Sequence, residues 1–434
     1  MAFETERLRV AHLLRRAGFG STEAELNLYA SLGYAQALER LLNYDQVDDS
    51  AVEQQVAAIP VDQRNAELAR LSWMTRMLYT QRPLQEKMVL FWHTHFATAT
   101  SKVRGAGTML NQIQLFRENA LGNFETLLQL VTRDPAMLIW LDNNQNRKGS
   151  PNENYAREVM ELFTVGIGNY TDTDVKEAAR AFTGYTANRQ GEFTFNPAQH
   201  DDADKTFMGV TQNWNADDIL ATLVRHPATA RFLTTKLFRF FVYDAPDSST
   251  IDRLAGTYTN SGFDIKAVMR DIFTGPEFLP DAAFRGNVKQ PVELVIGALK
   301  ALNVQNIGPD LPQATRRMGQ DLLNPPDVSG WKGGDNWISA TTLLERFNFG
   351  DRLATLRGAD QPYFVDVASQ LQSHGLQAAP DVVDYYLNLL VDGAVTPEAR
   401  QSLIALLNGG DPLNEQNVRG MLHLVMTLPN HQLA

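Results

Sequence analysis

The stretch PNENYAREVMELFTVGIG, residues 151–168, carries an unusual density of side chains able to do chemistry. Read as a helix at about 100° per residue, it places Asn154, Arg157, Glu158 and Glu161 on one face. Tyr155, Ala156, Val159, Met160, Leu162 and Phe163 cover the other. Two neighbouring carboxylates suit general acid–base work of the kind glycosidases perform, with Asn154 and Arg157 placed to hold a substrate. An ordinary surface helix has the same pattern, with Arg157 and Glu161 as an i,i+4 ion pair. Context favours the functional reading, because the least regular parts of the chain flank this helix and sites prefer such places.

Further candidates lie elsewhere. Trp92-His93-Thr94-His95-Phe96 closes a helix that is apolar nearly all round from Met88, so it is expected to be buried. His93 and His95 are then either hydrogen-bonded core residues or acid–base groups. They lie about 200° apart on a helix, so both face one site only if the helix frays. His200 and Asp201 offer imidazole and carboxylate ligands for an optional divalent metal, with Lys205 nearby to hold substrate. The spacing is not that of an EF-hand, and a solvated turn explains it as well. Trp331 is placed to stack on a flat ligand or to pin its own loop. Arg16, with His12 and Arg15, is placed to bind an anion, or to clamp a core carboxylate such as Glu158 or Glu161.

The elements that must position these groups are helical. The 434 residues are 44% apolar and 21% charged, a globular balance, and the net charge of −11 argues against nucleic acid as a partner. There is no cysteine, which excludes disulfides, thiolate nucleophiles and cysteine-ligated metals. No apolar run reaches the ~18 residues of a membrane span. The N-terminus shows no signal sequence, so a cytoplasmic location is expected, or an exported one if a leader has been removed.

Helical periodicity runs through most of the chain, with capping boxes at Thr22–Glu25 and Thr171–Asp174 and a first-turn proline at Pro83. Residues 183–196 read as the one small β-hairpin. The segment NPPDVSGWKGGDNW, residues 324–337, holds three glycines and two prolines and must be an irregular loop. These features predict a mostly α fold, a large multi-helix orthogonal bundle. A main domain is expected over 1–357, with a C-terminal helical subdomain, 358–434, packed on it.

LLRRAGFG, FWHTHFAT, the block PNENYAREVMELFTVGIGNYTDTDVKEAARAFTGYT, HDDADKTFMG, KQPVEL and PPDVSGWKGGDNWI occur in that order. Together they resemble the bacterial family called domain of unknown function 1800, over nearly the whole chain. Many members carry an export signal ahead of the first helix, and many have Gly-Trp where this chain has Gly184-Tyr185. The resemblance implies no reaction. It does imply a functional partner, since members often neighbour exported proteins of a family resembling sulfatases.

The expectation for function is a hydrolase acting on a polar small-molecule or polymer substrate, glycan-like or anionic. Glu158, Glu161, His93 and His95 would supply acid–base chemistry, and Arg16, Asn154, Arg157, Lys205 and Trp331 would bind. The alternative is a non-catalytic scaffold or binding protein in which the same residues form a buried polar network.

Overall fold

The structure is a computed structural model, which describes residues 3–62, 65–188, 191–356, 358, 360–411 and 413–434. It is helical almost throughout, as expected, and the predicted start signals work as such. Glu25 N–H donates to the Thr22 hydroxyl (3.1 Å) while Thr22 N–H donates to Glu25 (2.7 Å). Thr171 and Asp174 make the same reciprocal pair at the head of Asp172–Ala181.

The buried helix is Pro83–His95, in which Thr94 alone is partly exposed. Its apolar side chains explain its depth, and its polar ones fix its neighbours. Glu86 accepts two hydrogen bonds from Arg117 on the helix Ala106–Glu118 and one from the Trp73 indole at 3.0 Å. Lys87 donates to Gly18 O at 2.9 Å and pairs with Glu293. A loop closes over the end of this helix. Gly330 has φ +78, and a Cβ there would lie 2.2 Å from Thr94 O. Only glycine lets the loop come so close, and this seats Trp331 edge-on to His93, ring centres 5.6 Å apart.

The core is one continuous apolar cluster running from Val10 to Met426. It crosses the expected 357/358 boundary, where Arg357 lies outside the described residues. Ala340–Thr355 packs along Glu415–Thr427, and Ala379–Val391 touches Pro291–Ala301.

The β content is larger than expected. β1 (Tyr185–Ala187) pairs antiparallel with β2 (Phe193–Phe195) as predicted, the tip residues 189–190 lying outside the description. A second hairpin, β3 (Lys205–Phe207) with β4 (Val210–Gln212), occupies a segment that gave no strand signal. Its two-residue turn is Met208-Gly209, both at positive φ (47° and 80°). That is the mirror-image turn matching strand twist, made here without the Asn-Gly or Asp-Gly that usually announces it.

The helix predicted over 151–168 is also shorter and irregular. Asn154–Glu158 is α-helical and Val159–Phe163 is π-helical.

Glu86→Ala is expected to lower stability by about 3–5 kcal/mol, because Arg117 would be left as a buried charge without its carboxylate. Urea titration of wild type and variant measures it. A loss below ~1 kcal/mol would show that Arg117 finds water instead.

Candidate anion-binding cavity

The central helix ends in a widened turn whose carbonyls are taken up partly by the residues that follow and partly by side chains from elsewhere. Thr164 donates to Val159 O (2.5 Å) and Gly166 N–H to Met160 O (2.9 Å). Lys236 Nζ donates to Leu162 O at 3.2 Å, and His95 Nε2 meets Phe163 O at 3.2 Å. A carbonyl can only accept, so His95 carries its proton on Nε2. Its Nδ1 is buried and unbonded. Terminal carbonyls must find donors somewhere, and π turns are frequent at functional sites.

The polar face of this helix points outward. Asn154 is exposed, and Arg157, Glu158 and Glu161 are partly so. Glu161 accepts from the Tyr170 hydroxyl at 2.6 Å. Burial, then the neighbouring Glu161 charge, raises the pKa of Glu158, with Arg157 opposing. Arg157 pairs with Asp172 (3.2 Å) and Glu153 (3.4 Å) rather than with Glu161. The π turn removes the four-residue stacking which that pair needs.

The remaining candidates separate. His93 Nε2 accepts Leu323 N–H at 3.2 Å, and burial aided by Arg70 lowers its pKa to about 3. His93 and His95 thus face different neighbours, because the helix does not fray. His200 Nδ1 meets Thr183 O at 2.9 Å. Asp201 is held by Arg180 at 2.7 Å, the main cause of its lowered pKa. Lys205 is buried, donating to Ala203 O at 2.9 Å. Of these three, Asp201 ties the loop to the helix Asp172–Ala181, His200 ties it to Thr183 just beyond that helix, and Lys205 bonds within its own segment. Among the described residues no group of three or more His, Asp and Glu is gathered as metal ligands. Arg16 clamps neither Glu158 nor Glu161; it donates to Ala283 O at 3.1 Å.

What the fold does bring together is Arg16, His95 and Trp331. They line a cavity of about 230 Å³ with Lys87, Phe91, Lys236, Arg239, Phe240, Asp244, Glu293, Lys332 and Trp337. Five of these are cations against two carboxylates. Glu293 is already engaged by Lys87 and by Gln290 N–H at 2.7 Å. Burial lowers the pKa of Arg16 to about 9, with Glu293 opposing, and that of Lys236 to about 8. Arg16 Nε and Trp337 Nε1 are buried donors with no partner. Lys236 uses one of its three N–H donors on Leu162 O. Arg40, Arg285, Arg346 and Trp140 also bury donors without acceptors; those of Arg16 and Trp337 are set apart by belonging to residues that line this cavity. Sequence reasoning missed Lys236 and Arg239. Both sit in Pro227–Phe241, where cations three apart read as an ordinary wet face.

Residues 12–433 match the family described as "Protein of unknown function (DUF1800)". The chain belongs to this family. No curated protein matches the chain, and neither does any solved structure. Like the resemblance read from the motifs, membership fixes kinship and leaves the chemistry to the cavity. No helix among the described residues is long and apolar enough to cross a membrane.

His93 and His95 stay neutral in the fold, while in the unfolded chain they titrate near the ordinary 6.5. Below that pH the unfolded chain binds protons the fold refuses, so stability falls as pH drops from 6.5 toward 3. His93→Gln should flatten this acid limb by up to about 1.4 kcal/mol per pH unit. Urea unfolding of both proteins between pH 4 and 7 tests it, and parallel curves would mean that His93 is protonated when folded.

Proposed function

We propose that this cavity holds the anionic group of a polar substrate. The observation that carries the reading is the set of buried donors without acceptors, Arg16 Nε and Trp337 Nε1, beside the underused ammonium of Lys236. An oxyanion offers the acceptors that these donors lack, and a charge-assisted hydrogen bond is about twice as strong as a neutral one. Phe91, Phe240 and Trp331 supply an apolar wall for the body of the ligand.

The hydrolase reading then moves its carboxylate. Glu158 and Glu161 lie outside the cavity wall, whereas Asp244 is on it and exposed. Asp244 takes the role of base toward a water, with Arg16 and Lys236 holding the substrate's charge. A non-catalytic binding protein is the second reading. It is favoured by Glu293, which cannot move a proton without giving up both Lys87 and its helix-capping bond. Either way the net charge of −11 turns nucleic acid away, and a small molecule or the charged unit of a polymer is the partner proposed. The sulfatase-like neighbour belongs with the polymer version.

Calorimetric titration with phosphate, sulfate, acetate and citrate tests the reading. Wild type should bind at least one, with affinity falling as pH rises through about 8, where Lys236 loses its charge. Arg16→Gln and Lys236→Gln should each weaken binding about tenfold or more, roughly 1.4 kcal/mol, while Asp244→Asn leaves binding intact. No binding of any of the four anions, or equal binding by wild type and both cavity variants, overturns it.

A further inference from the structure

We propose a second, separate site in the recess beneath the β1–β2 hairpin, built for a neutral polyhydroxylated unit such as one sugar ring. The recess has a volume of about 190 Å³ and lies between the loop after Trp140 and strand β1. Asn144, Arg147, Tyr185, Thr186 and Gln199 face it. Arg147, exposed at the rim, is its one charged side chain.

The frame is rigid. Asn146 is buried and spends its whole amide internally: it donates to Asn143 Oδ1 (3.0 Å) and Ala179 O (2.8 Å), and accepts from Asn152 N–H (2.9 Å). Gly184 has φ +83, and a Cβ there would meet Asn196 O at 2.6 Å, so the floor is bare backbone. The Tyr185 ring is held edge-on by Phe193 (5.1 Å) and faces the Arg133 guanidinium (5.7 Å).

Against that frame the recess offers unused polarity. Asn144 Oδ1 is buried with no hydrogen-bond partner. Among the described residues, the side chains of Arg147, Thr186 and Gln199 have no protein partner either. An amide or hydroxyl presents donor and acceptor together, as a sugar hydroxyl does, so each can serve a ring carrying several hydroxyls. An anion would find one exposed cation, and an apolar side chain would find no apolar pocket. The ligand class here therefore differs from that of the anion cavity, and the inference stands without it.

The test is ligand-observed saturation-transfer NMR with glucose, galactose, N-acetylglucosamine and cellobiose, with a capped tripeptide as competitor. At least one sugar should give a saturable signal at millimolar concentration. Thr186→Val with Gln199→Ala, and separately Asn144→Ala, should weaken it tenfold or more at unchanged melting temperature. Lys236→Gln should leave it intact, which separates failure here from failure of the anion cavity. Silence from all four sugars, equal binding by the recess variants, or displacement by the tripeptide overturns the proposal.

Discussion

Everything near the cavity depends on burying the helix Pro83–His95 and pairing the polar side chains it takes inward, Nδ1 of His93 and His95 excepted. An unpaired polar group at that depth costs about 1–3 kcal/mol and a charged one more. Each polar side chain therefore commits a different segment of the chain. Gln85 takes Arg117 O at 3.0 Å, Glu86 takes Arg117 and Trp73, and Lys87 takes Gly18 O and Glu293. The Trp92 indole takes Ala120 O at 2.9 Å, His93 takes Leu323 N–H, and His95 takes Phe163 O. Segments far apart in sequence converge on one helix because its polar side chains find their partners there.

The cavity is where this closure stops. Lys87 and Glu293 form a buried pair whose Coulomb attraction offsets desolvation only with good geometry, and Gly18 O and Gln290 N–H supply the rest. Arg16 and Lys236 have no such carboxylate. Their lowered pKa values, about 9 and about 8, express the same fact electrostatically: burial has not been matched by an opposite charge. Buried Lys289 is likewise left with a carbonyl, His431 O, but Arg16 and Lys236 share the wall of one cavity, and there the missing carboxylate leaves room for an anion from outside.

How much of this the sequence shows depends on range. Local signals were legible: both capping boxes, the buried WHTHF helix, and the irregular Trp331 loop all follow from neighbours in the chain. The β3–β4 hairpin was not, because a Met-Gly turn carries no strong local signature. The outward face of Glu158 and Glu161 was not either. Periodicity gives two faces to a helix, and only tertiary packing decides which of them meets solvent. The cavity is the least legible part of all. Arg16 and Trp331 could be picked out as single residues, but Lys236 acquires meaning only when Pro227–Phe241 brings it against Leu162, 74 positions earlier.

That contact also gives the central block PNENYAREVMELF a role different from the one its carboxylates suggested. Its π turn presents Leu162 O and Phe163 O to Lys236 and His95, so two residues of the cavity wall are oriented by backbone carbonyls of this helix. The acidic face lies on the other side of the same turn, where Tyr170 and Asp172 engage Glu161 and Arg157. A regular α-helix continued to Gly168 would bond Leu162 O and Phe163 O to its own next turn. Lys236 would then lose its one carbonyl, and His95 the bond that fixes its proton on Nε2. The irregularity is thus a positioning device: the block acts on the cavity through where its backbone stops being helical.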